Sequence, residues 1–145
     1  MYGIYEALPA RLKDRIAGLK IKHGGTYNSG GYVRHGVTAT DNPRSSPGAV
    51  HPLVCTHPET GRRVLYLGRR RNAYLVGLDL KDSEALLNEL WSIIDRPEFT
   101  WEHVSRVGDL VSWDNRCTMH RRDAFDPRSR RIMHLTQVKG DARPV

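Results

Sequence analysis

The chain has 145 residues, of which 39% are hydrophobic and 27% are charged, and its formal net charge at pH 7 is +7. This length suits a single domain, and the composition, without a long apolar run, excludes a membrane span and a disordered chain. The first residues lack the basic and apolar regions of a secretory signal, so we expect a cytoplasmic protein.

The cysteines and the basic runs narrow the classes of function further. Cys55 and Cys117 lie far apart without a Cys-x-x-Cys motif, which excludes a zinc knuckle and a disulfide framework. The positive charge would suit a phosphate backbone. It is spread over short runs without interleaved aromatic residues, however, and nucleic-acid binding is not favoured.

The first half of the chain predicts a helical segment, a long loop and short strands. Apolar residues in 5–19 recur at helical spacing, which predicts an amphipathic helix within a helical segment 1–22. Residues 23–51 are rich in Gly, Ser, Asn, Pro and Thr without periodicity, which indicates a lid, a binding segment or disorder. Two extended segments joined by a Pro-Glu-Thr-Gly turn are predicted in 49–68, and a third in 72–78.

The second half contains the clearest helix and three further strand predictions. Residues 82–95 begin with Asp82 as a cap, have a leucine and isoleucine stripe at helical spacing, and are followed by Pro97 as a stop. Three later segments are short, turn-bounded and rich in β-forming residues, so each predicts a strand: 99–106, 108–114 and 130–140. The predicted class is mixed and β-dominated.

Strand alternation in 131–138 gives a more detailed expectation. Arg131, Met133 and Leu135 would share one face, which we expect to point into a sheet interior. An unpaired buried charge is costly, so the Arg131 guanidinium would have to bind an anion there.

Several of these segments resemble one protein family. THPETGRRVLYLG at 56–68, the leucine-rich helix after it, GDLVSWDNRCTMH at 108–120 and RRIMHLTQVKGD at 130–141 are similar to the C-terminal half of the taurine dioxygenase-like (TauD/TfdA) family of iron(II)/2-oxoglutarate-dependent dioxygenases. YEALPARLKDRIAGLKIKH, near the start, resembles the segment that precedes the long loop in that family.

The resemblance implies a fold for the whole chain. Residues 1–145 would form a single partial dioxygenase domain with a partial double-stranded β-helix, which is jelly-roll-like, and flanking helices. Residues 52–145 would be the C-terminal part of this core, and the loop 23–51 would be the substrate lid.

The resemblance also implies a site. His120 would be the distal histidine of a 2-His-1-carboxylate iron site, and Arg131 would bind the far carboxylate of 2-oxoglutarate. Imidazole suits ferrous iron, and guanidinium pairs with a carboxylate bidentately. The cofactor would be Fe(II), with 2-oxoglutarate and O₂ as cosubstrates. Trp113, Asp114 and Asn115 would shape and support the surroundings of His120.

Two features depart from the family pattern. The chain has no His-x-Asp motif, and His57-Pro58-Glu59, which has His-x-Glu spacing, belongs to the predicted turn. We therefore expect an incomplete iron site. Leu135, which with Met133 would line the substrate pocket, stands where members acting on sulfonates or carboxylates often carry an arginine. This favours a less charged or more apolar substrate, or an anion held by other residues.

The expected function is the C-terminal portion of an oxidoreductase that hydroxylates a small organic substrate and converts 2-oxoglutarate to succinate and CO₂. The alternatives are a non-catalytic remnant or interaction module, and a basic binder of anions or nucleic acids. Half of such a fold would expose strand edges and an apolar face. We therefore expect this chain alone to be inactive, and to form homo-oligomers or depend on a missing N-terminal half.

Overall fold

The computed structural model describes residues 1–28, 30–68, 71–124, 126, 128–140 and 144–145. None of the described helices has the length and apolar character needed to cross a bilayer. The fold is mixed, and strands outnumber α-helices among these residues. In chain order the elements are α1 (Tyr2–Ala7), α2 (Ala10–Ile16), β1 (Lys20–Lys22), β2 (Val50–Pro52), β3 (Val54–Thr56), β4 (Arg63–Leu65), β5 (Tyr74–Val76), α3 (Leu80–Ile94) and a 3-10 helix (Pro97–Phe99).

The strands form two small antiparallel sheets. β1 is the central strand of the first sheet, in the order β2-β1-β5, where Ile21 lies opposite both His51 and Leu75. β3 and β4 form a hairpin in which Cys55 lies opposite Val64. Strands β2 to β5 lie where the sequence predicts extended segments, because short β-branched and aromatic runs there are bounded by turn residues. β1 does not: it lies at the end of the predicted helical segment 1–22, after Gly18, whose φ of +74° ends the helical conformation.

The helices pack against the sheets, and their apolar residues form one core with those of the strands. α3 extends over 80–94, close to the predicted 82–95, and the Ser83 hydroxyl near its start accepts a hydrogen bond of 2.8 Å from the Leu75 amide of β5. The core residues are buried together: Ile4, Leu8, Leu12, Ile16, Ile21, Leu53, Leu65, Leu67, Leu75, Leu86, Leu87, Leu90, Ile93 and Ile94. Burial of this apolar area is the main force that holds the helices on the sheets.

The single helix predicted over 5–19 is wrong: two short helices, α1 and α2, meet at Leu8 and Pro9. Leu8 has an extended backbone, with φ −62° and ψ 137°. Proline disfavours helical dihedrals in the residue before it and lacks the N–H that would continue a helix. The apolar spacing persists across the break, because Leu8 and Leu12 both enter the core.

The long loop 23–51 is closed at its base by backbone hydrogen bonds. The His23 amide donates to the Ala49 carbonyl at 2.9 Å, and the Gly25 amide donates to the Pro47 carbonyl at 2.6 Å. These bonds continue the β1–β2 pairing for a few residues beyond the strands. The two ends of the loop are therefore held together where it leaves the sheet.

Side chains also fasten the loop to itself and to the segment before β5. Thr26 Oγ1 and Ser46 Oγ lie 2.7 Å apart in a buried hydrogen bond. The Asp41 carboxylate accepts from Arg71 at 2.6 Å and from the Tyr27 hydroxyl at 3.1 Å. The described part of the loop thus has a fixed path despite its lack of regular structure.

The strands predicted at 99–106, 108–114 and 130–140 are absent from the described residues of those segments. A strand forms only where a neighbouring strand accepts and donates its ladder hydrogen bonds. Apart from Phe99, which packs against the core, the apolar side chains of these segments are instead exposed, with Leu110 at 95%, Leu135 at 72% and Val138 at 98%. Arg131 and Met133 are exposed as well, so the predicted inward face does not form in this structure.

Candidate functional site

A tight turn after β3 holds a buried histidine. In the turn 57–62, the His57 amide donates to the Arg62 carbonyl at 2.9 Å, and the Gly61 amide donates back to His57 at 2.8 Å. Gly61 has a φ of +67°, which glycine adopts without strain. The His57 side chain is only 4% exposed, and its ring centroid lies 5.8 Å from that of Tyr2. The turn therefore presents an imidazole with little freedom to move.

A second turn, 114–118, is organised by Asp114. Its backbone carbonyl accepts from the amides of Cys117 and Thr118, at 3.2 and 3.0 Å, and from the Thr118 hydroxyl at 2.6 Å. Its carboxylate accepts from the Arg116 amide at 2.8 Å. Asp114 thus accepts the hydrogen bonds of the turn with both its main chain and its side chain, as aspartate commonly does in turns.

Charged side chains join the two turns. His57 Nε2 lies 3.0 Å from Asp114 Oδ2, and the Arg116 guanidinium contacts both Asp114, at 2.6 Å, and Glu59, at 2.8 Å. Hydrogen bonds from Arg116, and then from His57, hold the pKa of the Asp114 carboxyl well below its usual range, against the opposing effect of desolvation. The ionised carboxylate can only accept, so His57 Nε2 carries the hydrogen.

The described residues bring one group of potential metal ligands together, and its surroundings do not suit a cation. Ligand atoms of His57, Asp114 and Cys117 all lie within 4.8 Å of one another. The Arg116 guanidinium already binds both carboxylate oxygens of Asp114, at 2.6 to 3.0 Å. A metal ion would have to displace this positive charge or bind beside it. We interpret the group as a hydrogen-bonded ion-pair network.

His120 lies two residues after this turn and is exposed. Its ring centroid is 4.9 Å from that of Trp113, and the Trp113 indole N–H donates to Asn115 Oδ1 at 2.8 Å. Asp114 and Asn115 therefore lie in the turn that leads to His120, and Trp113 directly precedes that turn. Arg131, Met133 and Leu135 lie further along the exposed segment, outside any strand that the structure describes.

The described residues do not by themselves form an iron site of the predicted kind. A 2-His-1-carboxylate site needs three protein ligands on one face of the metal. The one ligand group formed by the described residues does not contain His120. His120 offers an accessible imidazole, but the other two ligands are not gathered around it.

Three members of the ion-pair network were not predicted as site residues: His57, Glu59 and Arg116. The sequence indicates a turn around His57, and that turn exists, but its burial depends on residues far away in the chain. The pairing of Asp114 with Arg116 has a local signal in the Asp-x-Arg spacing. The contact of both turns with each other has none, because 57 residues separate each joined pair.

The lowered pKa of Asp114 predicts how the ion pair responds to acid. The folded-state pKa lies below the unfolded value of about 3.9, so its contribution to stability is present above that value and is lost as the pH falls towards the folded pKa. We expect the Asp114 carboxyl carbon, followed by NMR from pH 7 downward, to titrate below about 3.9.

Arg116→Gln is the control for this titration, because it removes the guanidinium that has the largest effect on the Asp114 pKa. We expect the midpoint of Asp114 to move upward in this variant. The difference in unfolding free energy between the two proteins should be largest above about pH 4 and shrink in stronger acid. Equal midpoints in the two proteins would contradict the assigned ion pair.

Comparison with known proteins identifies the family of the chain. Residues 1–138 match the family described as "Taurine catabolism dioxygenase TauD, TfdA family". The chain belongs to this family. The resemblance to this family that the sequence predicts is thereby confirmed.

Two curated relatives and one solved structure illustrate the similarity. The (S)-phenoxypropionate/alpha-ketoglutarate-dioxygenase of Sphingobium herbicidovorans is 36% identical over 147 aligned positions, covering 97% of this chain and 50% of the relative. Pentalenolactone F synthase of Streptomyces arenae is 32% identical, covering 92% and 48%. The crystal structure of AAD-2 in complex with Mn(II) and N-oxalylglycine superposes with a TM-score of 0.65 and 30% identity, covering 81% and 46%.

The chain spans about half the length of the curated relatives it matches. The similarity to AAD-2 extends over most of the described fold. The family match over residues 1–138 includes both turns and the segment with His120.

Proposed function

We propose that residues 1–145 are the C-terminal part of an iron(II)/2-oxoglutarate-dependent dioxygenase domain. The observation that supports this most directly is the family match over residues 1–138. The complete domain would hydroxylate a small organic substrate and convert 2-oxoglutarate to succinate and CO₂. Iron(II) would be its cofactor, and 2-oxoglutarate and O₂ would be its cosubstrates.

In this proposal, two residues of the chain serve the site. His120 contributes one imidazole to the iron, and its exposed position leaves room for further ligands. Arg131 binds the distal carboxylate of 2-oxoglutarate, because a guanidinium matches a carboxylate with two parallel hydrogen bonds. The remaining iron ligands come from a polypeptide that these 145 residues do not contain, as a further segment or as another chain.

The exposed segments 99–106, 108–114 and 130–140 support this arrangement. They combine β-forming residues with exposed apolar side chains, which is the pattern of strands whose neighbours are missing. We propose that they become strands of a double-stranded β-helix once a complementary half supplies the adjacent edges. The alternation in 131–138 would then turn Arg131 inward together with Met133 and Leu135.

The substrate is proposed from the same alternation. Met133 and Leu135 would give the pocket two apolar walls beside Arg131. Such a pocket suits an organic molecule with an apolar body. The names of the relatives from Sphingobium and Streptomyces refer to phenoxypropionate and to pentalenolactone F, which are organic molecules with an apolar body. The loop 23–51, which is closed at its base, would cover the pocket as a lid.

A chimera tests the proposed function. The first half of the Sphingobium relative is fused before Met1, and the chimera and the 145-residue chain are each titrated anaerobically with iron(II) and 2-oxoglutarate. The measurement is the metal-to-ligand charge-transfer band. We expect the band in the chimera and none in the chain alone, since three protein ligands are needed and the chain offers one predicted ligand.

Three outcomes would contradict this proposal in different ways. A folded chimera without the band and without succinate production would favour a non-catalytic module. A band in the chain alone that disappears in His120→Ala would show that the chain completes an iron site by itself. Binding of DNA by the chain that weakens steeply with added salt would instead favour the basic-binder alternative.

A further inference from the structure

We infer that His57 and Asp114, together with Glu59 and Arg116, are positioning residues that fix the turn before His120 against the rigid turn after β3. This inference rests on the proposed function for its catalytic meaning, because His120 is the proposed iron ligand. The contacts themselves are independent of that assignment. They would hold one ligand in place before the rest of the site assembles.

Burial singles out this turn within the C-terminal part of the chain. Among the described residues of 101–140, all are exposed except Asp114, Arg116 and Cys117. The neighbouring residues on both sides, including Trp113 and His120, are exposed. The turn is therefore the least exposed part of the described residues of this segment, and it anchors the segment to the folded body.

Two side-chain contacts join the turn 114–118 to the turn 57–62. His57 contacts Asp114 at 3.0 Å, and Glu59, two residues further along the same turn, contacts Arg116 at 2.8 Å. Because the two contacts lie at different points, they restrict both the distance between the two turns and the rotation of one turn relative to the other. The backbone amine of Met1 adds a contact of 3.0 Å to the Cys117 carbonyl.

The contacts at Asp114 also restrict the position of His120, because few residues separate the two. The backbone carbonyl of Asp114 accepts hydrogen bonds from the two amides that close the turn, those of Cys117 and Thr118. His120 follows two residues later, and its ring lies 4.9 Å from that of Trp113, the residue directly before Asp114. Fixing Asp114 therefore restricts the chain on both sides of the Trp113–His120 ring pair.

Among the described residues, Asp126 and Arg128 form the same local motif and serve as a natural control. Asp126 accepts from the Arg128 amide at 2.9 Å and from its guanidinium at 3.0 Å, much as Asp114 accepts from Arg116. Both residues of this second pair are exposed. A comparison of Asp114→Asn with Asp126→Asn thus removes one carboxylate charge from the same local motif in each case, but only the first also removes the charged partner of buried His57.

The experiment uses the 145-residue chain and four variants: Asp114→Asn, Asp126→Asn, His57→Leu and His57→Gln. Hydrogen exchange is measured at the Cys117 and Thr118 amides, and the nuclear Overhauser effect is measured between the Trp113 indole and the His120 imidazole. Loss of a charge-assisted hydrogen bond should accelerate exchange about tenfold or more in Asp114→Asn and His57→Leu. The ring contact should weaken in the same variants.

The remaining variants separate positioning from general structure. Asp126→Asn should match the unsubstituted chain, and His57→Gln, which can still donate from a nitrogen near the Nε2 position, should recover most of the protection. If His57→Leu loses its cooperative thermal unfolding, Asp114→Asn decides alone, because that carboxylate is partly exposed. Unchanged exchange and an unchanged ring contact in a folded Asp114→Asn variant would overturn the inference.

Iron affinity of the chimera gives the functional readout. Removing a residue that orients a metal ligand typically weakens metal binding about ten- to a hundredfold, so we expect this loss in Asp114→Asn and not in Asp126→Asn. If the unsubstituted chimera binds no iron, the proposed function fails. Hydrogen exchange and the Trp113–His120 ring contact in the 145-residue chain then still test whether Asp114 positions the turn. If the chimera binds iron and Asp114→Asn leaves the affinity unchanged, the positioning role fails.

Discussion

Succinate formation by the chimera is expected to fall by about a thousandfold or more when His120 is replaced by alanine, because the site loses one of three protein ligands. Arg131→Gln should act differently. It should raise the KM for 2-oxoglutarate, by roughly tenfold to a hundredfold, since a charge-assisted pair contributes about 1.5–3 kcal/mol. The measurement is steady-state succinate production over a range of 2-oxoglutarate concentrations.

Matched controls lie in the same exposed segment. His134→Ala removes another exposed imidazole, and Arg130→Gln removes the neighbouring guanidinium. Neither is placed in the proposed site, so both should retain the turnover of the unsubstituted chimera. Equal losses in His134→Ala and His120→Ala would show that the segment needs its histidines for folding, and a thousandfold effect could not then be assigned to a ligand.

The elements predicted correctly are those whose signals are local. α3 has an apolar stripe over four turns and buries it, so periodicity alone places the helix within two residues of its observed start. The β3–β4 hairpin follows from its turn residues, and Gly61 adopts the positive φ such a turn requires. The break between α1 and α2 also has a local signal in Pro9. The prediction of one continuous helix followed the apolar spacing and gave Pro9 too little weight.

The elements predicted wrongly depend on residues elsewhere. β-forming residues in 99–106, 108–114 and 130–140 favour a strand only when another strand is available beside them, and none is present for the described residues of these segments. The family resemblance predicts a site that contains His120 and Arg131. It does not reveal which contacts hold that site, because the contact between His57 and Asp114 joins residues far apart in sequence.

The contacts at Asp114 hold the region before His120 in a part of the chain that has no paired strands. A segment without strand partners would move freely if nothing tied it to the body of the protein. The ion-pair network fixes the region just before His120 while leaving the segments on either side exposed and available to pair. The described arrangement is therefore suited to accept a complementary half without first having to release buried strands.

Gly48→Ala is expected to cause the largest loss of stability among single substitutions in the loop. A Cβ atom at Gly48 would overlap the carbonyl oxygen of His23, which belongs to the opposite side of the loop base. Backbone atoms cannot swing away as a flexible side chain can, so the two strands of the base must separate. Overpacking of this kind costs about 3 kcal/mol or more, measured as the change in unfolding free energy in urea.

Gly3→Ala in α1 is the matched control for this substitution. A Cβ there would lie 3.9 Å from the Phe99 ring, which is ordinary van der Waals contact, and alanine favours a helix over glycine. We therefore expect Gly3→Ala to be neutral or stabilising by up to about 1 kcal/mol. If Gly48→Ala also leaves the unfolding free energy unchanged, the base of the loop is not closed in solution as described, and the loop could not be held over a pocket as a lid from that position.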